Sequence, residues 1–424
     1  MKAKSVRLYG KMDLRLEDVE LPPPGDDEIL ASVVTNSICM SSYKAAKQGG
    51  EHKRVPDNVA ENPVMIGHEF CGEILEVGKK WRDRFEPGMK YSIQPALFYE
   101  DGPVGVLSAP GYSYPYLGGQ TDYAIISGEV MEQDCLLPYH GPGYYPASLS
   151  EPQSCIVGAF HANFHIPDGT YIHNMDIQEG GNMAILAGAG PMGLGAIDYA
   201  LHRPRRPGLL VITDIDAARL RRAGELFTPD EAARQGVRLV YLNTADVDDP
   251  VKALVDLTGG EAYNDVFVFA PVKQLIRQAD SVLARDGCLN FFAGPTDHDF
   301  LGELNLYRAH YDSTHLIGTS GGNTDDMRES LDMMATRDIC PEVMVTHVGG
   351  LTSVIDTILN LPGIPGGKKL IYTTLDMPLT AIEDFGQKGK DNPFYADLAK
   401  ICARNKMQWS LEAEEYVLKK ARKV

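Results

Sequence analysis

The sequence contains little cysteine and no segment long and apolar enough to suggest a membrane span. Its 424 residues include 7 cysteines, which are scattered and form no CxxC pair, so a disulfide framework is not expected. No apolar run approaches the roughly 20 residues that cross a bilayer, and the N-terminal residues lack the apolar core of a signal peptide. These absences predict a cytoplasmic protein with no membrane partner.

Positive charge is scarce relative to negative charge. The formal net charge is -18, from 40 lysines and arginines against 58 aspartates and glutamates. This balance disfavours nonspecific binding to nucleic acid or to an anionic membrane, because both attract cations. It does not exclude a small anionic substrate, since a local basic pocket can lie within an acidic protein.

Two kinds of segment follow one another along the chain and together predict an α/β protein. Up to about residue 160, short β-rich stretches are punctuated by turns such as the proline-rich segment 22–26. From about residue 181, short apolar runs alternate with helical stretches, which is typical of a doubly wound parallel sheet. A charged tail with a helical pattern begins near residue 381.

A glycine-rich turn marks the candidate nucleotide site. An apolar run at 184–187 leads into a GxGxxG pattern, a helix pattern follows, and the next strand ends about twenty residues on. The glycines would permit a tight turn, close approach of the pyrophosphate and close packing of helix on strand, with the phosphates at the helix N-terminus. The residues expected to contact the cofactor here are Gly188, Gly190, Pro191, Met192 and Gly193.

The acidic residue at the end of the next strand favours NAD over NADP. The Asp214 carboxylate would accept hydrogen bonds from the adenosine ribose hydroxyls and would repel a 2′-phosphate. Arg219 follows within two helical turns and keeps NADP open. The structural alternative is an ordinary glycine turn followed by an aspartate that caps a helix.

Three separate clusters carry residue types that bind metal ions. They contain Cys39 in the segment SICMSS, His68 in GHE, and Glu151 in SEP. None is decisive alone, because lone cysteines are often buried filler, lone histidines are often structural, and a Glu-Pro pair often begins a helix.

The order of these features resembles that of the zinc-binding medium-chain dehydrogenases/reductases, and the resemblance covers nearly the whole chain. It implies a GroES-like catalytic domain over 1–160 and about 307–424, and a Rossmann domain over about 161–306. In polyol dehydrogenases of the family a cysteine, a histidine and a glutamate bind the catalytic zinc. Carried over, the implied ligands are Cys39, His68 and Glu151, with Glu69 as an outer partner or alternate ligand.

The resemblance also implies the reaction. Three protein ligands leave a position for a substrate oxygen, and zinc there would act as a Lewis acid while hydride passes between a carbon and the nicotinamide. Ser41 resembles the family's hydroxyl that hydrogen-bonds the reacting oxygen. Where the family has an aspartate and then a histidine, this chain has Ser42 and Lys44. Support of the histidine ligand and the proton relay are thus in doubt, and Lys44 could serve in the relay, bind an anionic group or simply be solvated.

Two further implications concern metal count and substrate. Many relatives bind a structural zinc through four close cysteines, but this chain has none between Cys71 and Cys135, so we expect one zinc. Stretches such as 7–11 and 110–116 resemble a branch that reduces 1-phosphorylated ketohexoses such as L-sorbose 1-phosphate. Lys44 and the run 52–54 are candidate phosphate donors, and family members are homodimers or homotetramers.

Other functions remain open at this point. A zinc-free, NADPH-dependent quinone or enoyl reductase shares the scaffold, but such proteins lack the three ligands that are all present here. A nonenzymatic nucleotide-binding sensor is a different class of protein, and an absence of turnover with any substrate would favour it.

Overall fold

The computed structural model describes all 424 residues and divides into two compact units. Unit 1 comprises Met1–Pro152 and Asn323–Val424, and unit 2 comprises Gln153–Gly322. The chain therefore leaves the first unit and returns to it, with boundaries at other positions than the expected 160 and 307. The later return has a physical reason, because a short strand at His315–Ile317 pairs with the preceding strand of unit 2.

The first segment of unit 1 is rich in strands, as its alternating apolar pattern predicts. In β1 the apolar side chains of Val6 and Leu8 are fully buried, which fixes the strand's register on its neighbours. The strands are β1 Lys2–Gly10, β2 Asp13–Glu20, β3 Ile29–Ile38, β4 Val64–Met65, β5 Phe70–Val77, β6 Lys90–Ile93, β7 Pro103–Val106, β8 Tyr123–Ile126 and β9 Leu136–Tyr139. The helices are α1 Met40–Gln48, α2 Gly128–Glu132, α3 Tyr145–Ser148 and the start of α4 Ser150–Ala162.

Unit 2 is built on a six-stranded parallel sheet, which confirms the doubly wound prediction. Its strands are β10 Phe164–His165, β11 Asn174–Met175, β12 Asn182–Leu186, β13 Leu209–Asp214, β14 Arg238–Asn243, β15 Tyr263–Val268, β16 Leu283–Phe291 and β17 His315–Ile317. Its helices are α5 Pro191–His202, α6 Ala217–Leu226, α7 Pro229–Arg234, α8 Pro250–Leu257, α9 Lys273–Val282 and α10 Leu306–Tyr311. The strand order is β14-β13-β12-β15-β16-β17. Successive strands are added on one side of β12 up to β14 and on its other side from β15, and ligands of such sheets bind at this change of side. The pair β10–β11 forms a separate small hairpin.

The returning segment completes unit 1. Its strands are β18 Val345–Gly350, β19 Lys368–Tyr372 and β20 Thr380–Ala381, and its helices are α11 Thr324–Thr336, α12 Val354–Leu359, α13 Phe385–Lys388, α14 Pro393–Arg404 and α15 Leu411–Lys420. The main sheet has the order β20-β18-β19-β3-β5-β6-β9, with β8 also paired to β3, and β1, β2 and β4 form a second sheet. None of the helices in the chain combines the length and apolar character needed to traverse a bilayer.

Candidate active site

The pairing of β3 with β5 brings the first two metal-ligand clusters together. Strand β3 ends at Ile38, and Cys39 follows in an extended conformation as the residue that precedes α1. Strand β5 begins directly after Glu69, and its first residue pairs with Asn36 near the end of β3. Since the strands are antiparallel, Cys39 and the segment that enters β5 lie at the same end of the sheet.

The turn that presents His68 requires glycine. Gly67 has a φ of +94°, and a Cβ there would lie 2.5 Å from Asn36 Nδ2. Any other residue at this position would be strained, because of the positive φ and because its Cβ would be too close to Asn36. The glycine of the GHE motif is therefore required by the backbone conformation, whereas the histidine and the glutamate carry the chemistry.

Cys39, His68 and Glu69 form a group whose potential metal-binding atoms all lie within 4.8 Å of one another. His68 is 5% exposed and Glu69 is 1% exposed. Glu151, on the first turn of α4, does not belong to this group. It nevertheless interacts electrostatically with all three, so the structure places the fourth predicted residue beside the cluster.

Glu69 is already engaged by other side chains. The Lys368 ammonium lies 2.5 Å from Glu69 Oε1, and the Ser37 hydroxyl donates to Glu69 Oε2. A carboxylate held by a cation and a hydroxyl has part of its acceptor capacity used. This arrangement supports a role for Glu69 beside the metal more than a role as its main carboxylate ligand.

The surroundings of the cluster shift its titratable groups toward neutral forms. Burial raises the pKa of the Glu151 carboxyl to about 7, and the nearby charges of Glu69 and Cys39 oppose ionisation further while His68 favours it. Burial also raises the pKa of the Cys39 thiol and lowers the pKa of the His68 imidazole. A divalent cation reverses this preference for the thiol and the carboxyl, because it stabilises their anionic forms.

The two nitrogens of His68 have different surroundings. Nε2 lies 3.3 Å from the Ser41 hydroxyl and 3.4 Å from the Tyr112 hydroxyl, whereas Nδ1 is buried without a hydrogen-bond partner. This matches the departure seen in the sequence, where Ser42 stands in place of the aspartate that usually supports the histidine. An unpartnered buried nitrogen costs free energy unless a proton acceptor or metal satisfies it.

These residues fit a zinc ion. A thiolate, an imidazole and a carboxylate are its preferred donors, and Cys39, His68 and Glu151 would hold it, with Glu69 adjacent. Zinc would supply Lewis-acid chemistry, polarising a carbonyl or lowering the pKa of a hydroxyl. Ser41 and Tyr112 would place two hydroxyl groups next to the reacting oxygen.

A basic region, made of Lys44, His52, Lys53 and Arg54, lies near the cluster. The Tyr112 ring stands between its His52 and the His68 of the cluster. The Tyr112 ring lies 4.9 Å from the His68 ring and 5.7 Å from the His52 ring, the latter nearly parallel at 8°. Burial and then the positive charges of Arg54, Lys53 and Lys44 lower the pKa of His52 to about 4. His52, with its cationic neighbours, therefore lies one aromatic ring away from His68.

Unit 2 presents the predicted nucleotide turn. A Cβ at Gly193 would lie 2.0 Å from the Gly188 carbonyl oxygen, so this glycine is needed for helix α5 to pack on β12. A Cβ at Gly190 would meet nothing within 4 Å, which leaves an open approach at the start of the helix. Pro191 begins α5, and Met192 follows it on the first turn. The turn fits a dinucleotide pyrophosphate.

Asp214 has a structural task that sequence reasoning missed. Its carboxylate accepts hydrogen bonds from the backbone N–H groups of Ile215 at 2.8 Å, Asp216 at 3.1 Å and Ala189 at 3.3 Å. The last contact ties the end of β13 to the glycine-rich turn. Asp216 caps α6, and Arg219 on its first turn lies 3.7 Å from the Asp216 carboxylate. Since a carboxylate has about four acceptor positions, a ribose contact by Asp214 stays open.

The sequence analysis did not find the side chains that contact the metal cluster from distant parts of the chain. Lys368 lies 299 residues from Glu69, and no local pattern marked it. Tyr112 lies in the stretch 110–116, which the sequence analysis used only for a resemblance, and its contact with His68 had no sequence signal.

A zinc-binding cluster in a β-rich unit and a dinucleotide turn in a parallel sheet define the class of zinc-dependent, nicotinamide-linked alcohol or polyol dehydrogenases. Family models agree: the alcohol dehydrogenase GroES-like domain matches residues 25–133, and the zinc-binding dehydrogenase model matches residues 191–336. The chain belongs to the zinc-binding dehydrogenase family.

Relatives match almost the full length. The chain is 49% identical to the L-sorbose 1-phosphate reductase of Klebsiella pneumoniae, over 98% of this chain and 97% of that one. It is 48% identical to the mannitol-1-phosphate 5-dehydrogenase of Aliivibrio fischeri, over 97% and 96%. The solved 2R,3R-butanediol dehydrogenase of Bacillus subtilis has the same fold, with a TM-score of 0.67 at 20% identity, covering 88% of this chain and 99% of its own.

Proposed function

We propose that this enzyme is a zinc-dependent polyol-phosphate dehydrogenase that converts L-sorbose 1-phosphate to D-glucitol 6-phosphate. Two of its relatives at 48–49% identity are named for phosphorylated six-carbon substrates. The observation that carries the proposal is the basic region beside the metal cluster. The second candidate is another hexitol phosphate, mannitol 1-phosphate, which the relative in Aliivibrio fischeri favours.

The basic region is suited to a phosphate group because its cations are not neutralised. Lys44, Lys53 and Arg54 form no ion pair with a carboxylate, although the chain as a whole carries a net charge of -18. Arg54 uses one nitrogen to donate to the Leu107 carbonyl oxygen at 3.0 Å, which fixes its guanidinium. Cations without a carboxylate partner favour a phosphate, which accepts charge-assisted hydrogen bonds.

The spacing also suits the substrate. In a ketose 1-phosphate the phosphate is attached to the carbon next to the ketone, so the two groups bind close together. A ketone oxygen at the cluster of Cys39, His68 and Glu151 would leave the phosphate beside the Tyr112 ring and the cations around His52. Ser41 would donate to the ketone oxygen, and Lys44 would bind the phosphate.

For cofactor and metal, we propose one catalytic zinc without a structural zinc, and NAD in preference to NADP. Asp214 supports NAD because it lies at the end of β13 with acceptor capacity left, near the turn that receives the pyrophosphate. The Arg219 guanidinium lies 3.7 Å from the Asp216 carboxylate at the start of α6 and keeps NADP open, so NAD and NADP should be compared directly.

The decisive experiment is a substrate panel on the purified full chain. Free and phosphorylated ketoses are tested with NADH and with NADPH, and metal content is measured by elemental analysis. We expect one zinc per chain and turnover of L-sorbose 1-phosphate well above that of sorbose. Preference for free sugars would refute the phosphate assignment, a zinc-free active enzyme would favour a quinone or enoyl reductase, and no turnover with any substrate would favour a sensor.

We also propose a homodimer or homotetramer that acts in the cytoplasm. Strand β17 is an outer strand of the unit 2 sheet, and Leu316 on it is 54% exposed, with Tyr311 nearby in sequence at 60%. Edge strands with exposed apolar side chains favour pairing with a second chain. All seven cysteines are free, which suits a reducing compartment. Light scattering of the purified protein tests the assembly.

A further inference from the structure

The C-terminal part of the chain lies outside the matched family models. The matched family models end at residue 336. Solved dehydrogenases of the same fold cover 88% of this chain while being matched over 96–100% of their own length. The relatives at 48–49% identity cover 97–99% of it. Those relatives match nearly the whole chain, including most of its C-terminal part, and the contacts of that part can show what it contributes.

One carboxylate of helix α15, that of Glu414, lies in the interior of unit 1. Glu414 is 3% exposed, and Oε1 accepts a hydrogen bond from the Tyr144 N–H at 2.6 Å. Oε2 accepts from the Tyr145 N–H at 2.9 Å and from the Tyr372 hydroxyl at 3.0 Å. Helix α3 has no side chain of its own that caps its start. Glu414, about 270 residues away, satisfies N–H groups that would otherwise be unpaired.

The loop before α3 is shaped to receive this carboxylate. Gly143 has a φ of +68°, and a Cβ at this position would lie 2.5 Å from Glu414 Oε1. The Lys90 ammonium donates to the carbonyl oxygens of Gly141 and Gly143, at 3.1 Å each. The Tyr144 hydroxyl donates to Glu73 Oε1 at 2.5 Å. The loop is thus held by strands β5 and β6 on one side and by the C-terminal helix on the other.

This loop leads directly to the metal cluster. Helix α3 ends at Ser148, α4 begins at Ser150, and Glu151 is the second residue of α4. Glu151 follows Tyr145 by six positions of mostly helical chain, a distance of roughly 9 Å along a helix axis. A displacement at the start of α3 is therefore carried to the Glu151 backbone with little flexible chain to absorb it.

The start of α4 is also connected to the strand that carries the other ligands. Ser150 Oγ lies 2.6 Å from the Ala147 carbonyl oxygen and 3.2 Å from Ser92 Oγ. The Ser92 hydroxyl donates to the Phe70 carbonyl oxygen at 3.0 Å, and Phe70 directly follows Glu69. The position of Glu151 relative to His68 and Glu69 therefore depends on two supports, the serine pair and the loop that Glu414 holds.

We infer that Glu414 is a positioning residue for the metal site, which fixes residues 143–145 and thereby the Glu151 carboxylate. The inference rests on the assignment of Glu151 to the metal cluster in the proposed function. Through Glu414, the C-terminal helix α15 contributes to metal binding as well as to folding.

The test is the zinc affinity of the full chain, measured with Zn²⁺ in competition with a chromogenic chelator. Glu414→Gln keeps the side-chain volume but puts an NH2 donor in place of one carboxylate oxygen, so one of the two N–H groups, of Tyr144 or of Tyr145, faces a donor instead of an acceptor. We expect zinc affinity to fall about tenfold, the lower end of the range for groups that orient metal ligands. We also expect kcat to fall with little change in the KM for the nicotinamide cofactor.

Tyr372→Phe is the matched control. It removes the third hydrogen bond to the same carboxylate and the acceptor of the Trp409 indole N–H, 2.8 Å away, but leaves the loop contacts intact. Leu398→Ala, at a buried position of α14, adds a variant that weakens the packing of the C-terminal part without touching Glu414. Both should lower the melting temperature while keeping zinc affinity within about twofold of the wild type, a change of under half a kcal/mol.

Glu151→Gln, measured in parallel, separates failure of the inference from failure of the proposed site. If Glu151→Gln weakens zinc binding and Glu414→Gln does not, the positioning role is wrong while the site stands. If Glu151→Gln leaves zinc affinity unchanged, the metal assignment itself is wrong. Equal losses of zinc affinity in Glu414→Gln, Tyr372→Phe and Leu398→Ala would reduce Glu414 to an ordinary stabilising residue and overturn the inference.

Discussion

Lys368 Nζ lies 2.5 Å from Glu69 Oε1, and the two side chains are 11% and 0% exposed. Burial opposes the ammonium charge, but the interactions with Glu69 first, and then with Cys39 and Glu151, outweigh it and raise the pKa of Lys368. The pair thus places a permanent cation beside a cluster that is built to receive a metal cation. Lys368 neutralises Glu69 in the protein without metal, and its charge opposes metal binding at close range.

Replacement of Lys368 should have opposite effects on stability and on zinc affinity. Lys368→Met leaves the Glu69 carboxylate buried without its cation, which should lower the free energy of unfolding without metal by about 3 kcal/mol or more. Zinc then compensates the unpaired carboxylate and no longer meets the lysine charge. We therefore expect tighter zinc binding and a larger zinc-induced rise in melting temperature than in the wild type, measured by calorimetry.

Lys369→Met is the control for that experiment. The neighbouring Lys369 is 3% exposed, but its ammonium donates to backbone carbonyl oxygens, including that of Gly367 at 2.7 Å. Its loss should destabilise the protein while the zinc-induced shift stays as in the wild type. A zinc-induced shift in Lys368→Met that equals that of Lys369→Met would contradict the proposed opposition between Lys368 and the metal.

Removal of a metal ligand should separate catalysis from cofactor binding. Cys39→Ala removes one donor of the cluster and Glu151→Ala removes the proposed carboxylate ligand beside it, whereas the glycine-rich turn lies in unit 2. We expect kcat to fall by at least about 10²- to 10³-fold, the scale for losing electrostatic stabilisation of the reacting oxygen. The Kd for NADH, followed by its fluorescence, should change less than about threefold, roughly 0.7 kcal/mol. A metal-free variant that retained full activity would show that zinc has no part in turnover.

Much of the fold could be predicted because the pattern that sets it is local. The alternation of apolar residues predicted strands close to β1, β2, β3, β5 and β6, and the strand–helix alternation predicted the parallel sheet of unit 2. Strand β17 was missed, since three residues with an exposed Leu316 give no apolar run. Helix α7 was missed although Thr228 and Glu231 form a capping box, a signal that was available.

The candidate site was less predictable because its supporting contacts are long-range. Cys39, His68 and Glu151 carry recognisable residue types, so sequence could nominate them. The partners Lys368, Tyr112 and Glu414 come from distant segments, and only strand pairing and helix packing place them. Sequence patterns record what a residue can do chemically, and they do not record which distant residue will face it.

The basic region should discriminate between phosphorylated and free sugars. Lys44→Met removes an ammonium that has no carboxylate partner and lies near His52. A charge-assisted hydrogen bond of about 1.5–3 kcal/mol corresponds to a rise in KM for the sugar phosphate of roughly tenfold to a hundredfold. The KM for a free ketose should be unchanged. Lys47→Met, on the exposed last turn of α1, is the control, and an equal rise for both sugars in Lys44→Met would exclude phosphate binding by Lys44.

The His52 ring should make the protein less stable in mild acid. Its pKa is lowered from 6.5 to about 4, first by burial and then by its cationic neighbours. The unfolded chain takes up this proton at a higher pH than the folded chain, so stability is complete above pH 6.5 and declines as pH falls toward 4. His52→Gln should flatten the decline in denaturant titrations across this interval. Bound phosphate should raise the pKa of His52 in an NMR titration, and an unchanged pKa would place the anion elsewhere.

Two glycines of the nucleotide turn should respond differently to the same substitution. Gly190 has a φ of −78°, and a Cβ there meets nothing within 4 Å, so Gly190→Ala should fold with unchanged or slightly higher stability. The added methyl group would occupy the space where the pyrophosphate approaches, and we expect the Kd for NADH to rise at least about tenfold. In Gly193→Ala the Cβ would lie 2.0 Å from the Gly188 carbonyl oxygen, which should cost about 2 kcal/mol or more of unfolding free energy. Calorimetry and NADH fluorescence on both variants test the pair. If Gly190→Ala bound NADH normally, the cofactor would not pass over this turn, whatever the effect at Gly193.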